Sequence, residues 1–182
     1  MQWKIDPAHS SLTFGVRHMM VATVRGSVGG LAGTLEFDPE RPEKGAIEVT
    51  ADAGTVTTGE AGRDGHLRSA DFFDAATYPE IRFRSTKIVR KDDEDDEFQV
   101  EGELTIRGVT KRVTAEAEIE GRWDDPKFGK RIGFSAKLTI DRREWGLVWN
   151  QPVANGGILV SEKVKVELGL SAVAAEQATK AA

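Results

Sequence analysis

Residues Phe98-Gln99-Val100-Glu101-Gly102-Glu103-Leu104-Thr105-Ile106 put an apolar side chain at every second position, with Gly102 in phase. Strict alternation marks a strand with one dry face and one wet face. The next four residues, Arg107-Gly108-Val109-Thr110, read as a tight hairpin. The same period then resumes through Val113, Ala115, Ala117 and Ile119. It recurs in 132–140 (Ile132, Phe134, Ala136, Leu138, Ile140) and in 164–170 (Val164, Val166, Leu168, Leu170). So many half-dry strands in succession need a closed barrel or a sandwich, because a flat sheet would leave its dry face in water. A barrel with an apolar inside is a container, and function becomes a question of contents.

Working outward, residues 11–17 alternate through Leu12, Phe14 and Val16. Residues 24–37 form the longest strand candidate. Its dry phase passes from even (Val24, Val28) to odd (Leu31, Leu35, Phe37), and Gly29-Gly30 sits where a bulge would supply the extra residue. Further strands are expected over 45–53, 81–89, 98–107, 111–122, 131–141 and 160–171. The count is about eight, and hairpin neighbours make the sheet antiparallel. His18-Met19-Met20-Val21 breaks the period as a short helix or wide turn. Arg90 to Glu97, a charge run, reads as a solvated hairpin loop without the spacing of a calcium loop. The insert at about 58–79 reads as helical in two pieces, with Ser69 capping the second and Tyr78-Pro79 ending it. Trp3 is expected to plug one barrel end. One domain spans 1–171, and the Ala-rich residues 172–182 are expected to form a flexible tail.

The 182 residues suffice for one all-β domain. A net charge of −5 with both signs interspersed argues against a broad nucleic-acid footprint. Without cysteine, disulfides and thiolate metal sites are excluded. No run is apolar and long enough to span a bilayer as a helix, and the N-terminus lacks a secretory pattern, so a cytoplasmic protein is expected.

Three histidines, His9, His18 and His66, would suffice for an open metal site or a haem, although none forms a diagnostic pair. Asp6, His9 and Ser10 or Ser11 lie too close along the chain for a nucleophilic triad and read as a turn with local hydrogen bonds. On a helical insert Arg63, His66 and Leu67 share one face, suited to a polar head and the start of its tail. A salt bridge from Arg63 to Asp64, with Leu67 as core, is the plainer alternative. Phe72 and Phe73 form either a cavity lid or ordinary packing, and Trp145 and Trp149 flank a barrel mouth.

Taken together, several segments resemble the YceI-like family of polyisoprenoid-binding, lipocalin-like proteins. They are Trp3 to Ser10, Phe14 to Met19, Val24-Arg25-Gly26, Arg63 to Asp74, Tyr78 to Phe83, Gly102 to Thr110, Gly133 to Ala136 and Ile140 to Gly146. The resemblance covers about residues 2–171. It implies an extended, eight-stranded antiparallel lipocalin-like barrel whose tunnel holds a polyisoprenoid or another long-chain acyl lipid. Many family members are periplasmic, but the chain as given carries no signal peptide on which to transfer that. Trp145 stands where the family usually has phenylalanine, which would narrow the mouth or shorten the tunnel. Since family members often pair, the resemblance also admits a homodimer.

The expected function is non-enzymatic binding, storage or transport of such a lipid, with no cofactor and no metal. Arg17, His18, Arg63, His66 and Trp145 are expected at the head group or mouth. Phe14, Val16, Met19, Leu67, Phe72, Phe73, Phe83, Ile106, Phe134 and Leu168 are expected along the tunnel. Alternation alone leaves a solid core open for the same inward residues. Each buried CH2 contributes about 0.8 kcal/mol, so ten carbons give roughly 8 kcal/mol before ordering costs. The alternative is an enzyme acting on a lipid-like substrate with His18 or His66 as general base.

Overall fold

The computed structural model describes residues 1–91, 96–154 and 156–175. Ten strand segments run antiparallel: β1 (Gln2–Ile5), β2 (Ser11–His18), β3 (Ala22–Val28), β4 (Ala32–Glu36), β5 (Ala46–Asp52), β6 (Glu80–Arg90), β7 (Glu97–Ile106), β8 (Val109–Asp125), β9 (Gly129–Asp141) and β10 (Val160–Ala174). A single α-helix, α1 (Ala61–Arg68), is found among the described residues.

The order β1-β4-β5-β6-β7-β8-β9-β10 closes on itself through β1 and β10, which gives an eight-stranded barrel. The two remaining segments prolong two of its staves. Along one edge of β10, residues 172–174 pair with β1 and residues 160–169 with β2. β3 likewise pairs with β2, whereas β4 pairs with β1 and β5. The expected strand 24–37 is therefore one stave broken at Gly29–Leu31, where Gly30 turns to a φ of 67°. Beyond the break, the free edge of β3 meets the chain through a bridge between Ser27 and Thr57. The barrel is sealed by backbone pairing at the β1/β4 end and is open along β3 at the other.

The sealed end is solid. Trp3 sits in its core and donates its indole N–H to the Phe37 carbonyl. Phe37 meets Phe98 and Phe134 edge-on, with ring centroids 5.5 and 5.2 Å apart. In register, Trp3 faces Ala174, so a small residue makes room for a large one. The expected tail from residue 172 is corrected accordingly. β10 continues through Ala174, and Ala172 is fully buried. Residues 176–182 of that tail lie outside the described residues, as do residues 92–95 of the charged loop.

Two glycines keep the wall of the barrel thin. Phe14 faces Gly26 across the β2–β3 pair, and its ring lies over the bare glycine Cα. Phe83 lies over Gly102 in the same way. Each ring is held along the wall and out of the barrel axis.

The insert is helical in one piece. Glu60 accepts the amides of Gly62 and Arg63 and starts α1. Ser69 ends α1, with its amide and hydroxyl both donating to the His66 carbonyl. The expected second helix is replaced by turns, in which Asp74, at a φ of 47°, donates its amide to Ser69.

Candidate functional site

The unsealed half of the barrel holds a cavity of about 540 Å³. Its wall is built from the inward phase of the strands. Leu12, Phe14, Val16 and His18 come from β2, Phe83 from β6, Leu104 and Ile106 from β7, Phe134 and Leu138 from β9, and Val164, Val166 and Leu168 from β10. Leu67, Phe72 and Phe73, from α1 and the turn after it, close one side. The two sequence alternatives, hollow bore and solid core, are thus both realised, one in each half of the barrel.

Charged and imidazole groups in the lining gather at one end: His18, Glu60, Arg63, His66 and Arg142. Arg63 and His66 are brought in on α1, together with Leu67. The alternative salt bridge from Arg63 to Asp64 does not form. Arg63 instead donates to the Thr58 hydroxyl and carbonyl, at 2.7 and 3.3 Å. Buried Asp64 accepts from the Thr57 hydroxyl and from the Thr58 amide and hydroxyl, and these bonds hold its carboxyl below the usual carboxylate range. Amide bonds from Arg63 and Gly62 lower Glu60 likewise. α1 is thereby fastened at its base, presenting one cation and one imidazole to the cavity.

His66 stands 2.8 Å from Asp71 through Nε2. Its ring meets Phe72 and Trp149 edge-on, at 5.0 and 4.6 Å. Trp145 lines the cavity but is deeply buried and donates its indole N–H to the Leu104 carbonyl at 3.0 Å. It forms part of the packed wall and not a free rim.

Two expected site residues stand elsewhere. Arg17 is out of phase with Val16 and His18 and faces the outer surface, where it donates to the Met20 carbonyl and the Thr23 hydroxyl. Met19 lies in the turn after β2, half exposed, and away from the cavity lining. Their placement in the mouth and the tunnel is corrected.

Arg142 was missed. It is buried and lines the cavity, and its guanidinium donates to the carbonyls of Leu147, Trp149, Val160 and Ser161. Burial pushes its pKa down, yet the arginine stays a cation. It lies 5.9 Å from the Phe72 ring centroid. The signal was present in the sequence, because Arg142 continues the inward phase Leu138, Ile140.

Asp6, His9 and Ser10 make the expected local turn, far from the cavity lining. Asp6 pairs with His9 and Arg131, and Ser10 donates to the Asp6 carbonyl. Among the described residues no three of His, Cys, Asp and Glu converge on a common point.

The YceI-like domain matches residues 3–172. Protein YceI of Escherichia coli O157:H7 is 40% identical over 147 residues, covering 80% of this chain and 75% of the relative. BcnA of Burkholderia cenocepacia superposes with a TM-score of 0.79 at 22% identity, covering 92% of this chain and 98% of the other. A polyisoprenoid binding domain of Saccharophagus degradans superposes with a TM-score of 0.70 at 17% identity, covering 94% and 98%. At those identities the two structures speak for the fold alone. With a domain match across almost its whole length and a close relative over four-fifths of it, the chain belongs to the YceI-like family.

Proposed function

We propose that this protein is a non-enzymatic binding barrel for a polyisoprenoid or other long-chain lipid, which it stores or carries. The observation that carries the reading is the cavity itself. It is about 540 Å³, apolar along its length, and charged at one end only. That size falls within the roughly 300–1,000 Å³ of small-molecule sites. The tail lies against Phe14, Val16, Leu67, Phe72, Phe73, Phe83, Ile106, Phe134 and Leu168. The head meets His18, Arg63, His66 and Arg142. Dispersion and desolvation barely distinguish one hydrocarbon from another, so chain selectivity is broad and head-group selectivity falls to those few polar groups. A polyisoprenoid binding domain of Saccharophagus degradans shares the fold, so a barrel of this architecture is compatible with that ligand class.

The test is extraction of the purified protein with organic solvent, followed by mass spectrometry of the released material. An intact long-chain lipid in stoichiometric amount is expected, from the parent and from His66→Ala. Conversion of that lipid on incubation, abolished in His66→Ala, would instead identify an enzyme using the His66–Asp71 pair.

A further inference from the structure

The hairpin joining β2 and β3 ends in Met19-Met20-Val21, residues that are 50, 65 and 82% exposed. Val21 N–H closes the turn on the His18 carbonyl, and Met19 and Met20 hold φ values of 52° and 59° at its two central positions. Asparagine and glycine are the usual residues there, so two methionines are an unfavourable choice for the turn itself. Met19 N–H donates to the Leu159 carbonyl at 2.7 Å, which sets the neighbouring loop beside the tip. That loop exposes Val148 and Ile158. The rim of the cavity mouth is therefore a convex apolar ridge.

Below the ridge, the outer wall of β10, β2 and β3 carries a groove of about 740 Å³. Arg17, Arg25, Lys163 and Lys165 line it, against the single carboxylate of Glu167. Gly15 leaves its floor bare, flanked in register by Lys165 and Arg25. Lys163 shares Asp141 with Arg143. Arg17, Arg25 and Lys165 have no carboxylate within ion-pair distance among the described residues. This cationic strip belongs to a chain whose net charge is −5. Arg17 joins strip and ridge through its 2.8 Å bond to the Met20 carbonyl.

We infer that ridge and strip together form a docking face for an anionic lipid bilayer. The ridge enters the acyl boundary, and the four cations meet the head-group layer. The mouth then opens onto the bilayer. Phe14 and Thr58 line both the groove and the inner cavity, so the wall between them is one side chain thick beside the free edge of β3. The opposite end of the barrel supplies a contrast. Trp123 and Phe128 are exposed there, on the β8–β9 hairpin, where the two signs are interleaved: Arg122 pairs with Asp96, Lys130 pairs with Asp124, and Lys127 lies over the Phe128 ring. Its cations stand among carboxylates, so that end offers an anionic surface no strip like the one on β2, β3 and β10. Choosing a bilayer over an acidic protein partner rests on the lipid-binding reading above.

The experiment is flotation of the full chain with vesicles of phosphatidylcholine alone and of phosphatidylcholine mixed equally with phosphatidylglycerol. Binding to the mixed vesicles only, weakened by added salt, is expected. Arg25→Glu with Lys165→Glu lowers it roughly tenfold or more. Met20→Asp with Val21→Asp lowers it as well, and thermal melting verifies that both variants fold. Trp123→Ala with Phe128→Ala leaves it unchanged. Equal binding to both vesicle types, no binding, or loss only in the Trp123/Phe128 variant overturns the inference. So does an oligomeric state that the ridge variants break, since the ridge is then covered by a second copy. Solvent extraction of the same samples reads the cavity separately. Lipid inside without vesicle binding sinks the docking face alone, and an empty cavity sinks the lipid-binding reading.

Discussion

Arg142 concentrates much of what holds the mouth together. Four backbone carbonyls from the 147–161 stretch converge on one planar fork. A point-charge ammonium cannot copy that geometry. Arg142→Ala leaves buried carbonyls unpaired and is expected to lower stability by about 3–5 kcal/mol, with Arg142→Lys recovering little, as read by urea denaturation. Beside it, Asp141 accepts from the Arg143 amide and guanidinium, which hold its carboxyl well below the usual carboxylate range. Arg131 and His9 lower Asp6 in the same sense. Depressed folded values contribute stability above the unfolded carboxylate value of about 3.9, and that stability is lost as pH falls through the folded values. Urea midpoints should therefore drop below about pH 4. Asp141→Asn should cost about 1–2 kcal/mol at neutral pH and flatten the acid limb. At this scale legibility was a matter of parity. Arg142 lies on the inward phase and Arg17 on the outward one, and both followed from the strand period once it was extended past its apolar members. Charge type alone does not separate the two.

The strands were readable because one face of each is dry, and that constraint writes a period of two into the sequence. Their ends were less so. β8 runs to Asp125, well past its last inward apolar residue, and β10 runs through Ala172 and Ala174, too small to show a period although both are buried. The insert misled for another reason. Ser69 suits either end of a helix, and only the folded chain shows that its hydroxyl serves the last turn of α1 and not a new first turn. α1 is eight residues long, too short to persist without its fastenings. Glu60→Ala removes the acceptor for two amides, and Asp64→Asn weakens the tie to Thr57 and Thr58. Both variants should keep the barrel's melting transition. Both should speed hydrogen exchange of the α1 amides and raise the rate at which bound lipid leaves.

For the whole molecule, one sequence period serves two opposite ends. In the sealed half Trp3, Phe37 and Phe98 form a packed core, and Phe134 stands at the boundary, packed on Phe37 and lining the cavity. In the other half the glycines under Phe14 and Phe83 and the alanines of the wall leave the axis empty. Periodicity reports which side chains point inward but is silent on whether they reach one another, so the size of the bore was not legible. Ala136 tests the difference. It lines the cavity and faces Ala117 and Leu168 on its neighbours. Inserting bulk into a packed core costs about 1–3 kcal/mol. In a hollow bore, Ala136→Phe buries a ring where no protein atom stood. The lipid-free variant should then melt at or above the lipid-free parent, while retaining far less lipid through purification. Ligand at a hundred times its Kd stabilises by about 2.7 kcal/mol, so stripping should lower the parent's Tm and leave that of the variant nearly unmoved. A destabilised Ala136→Phe that still holds lipid places the ligand outside the barrel, on some other surface of the chain.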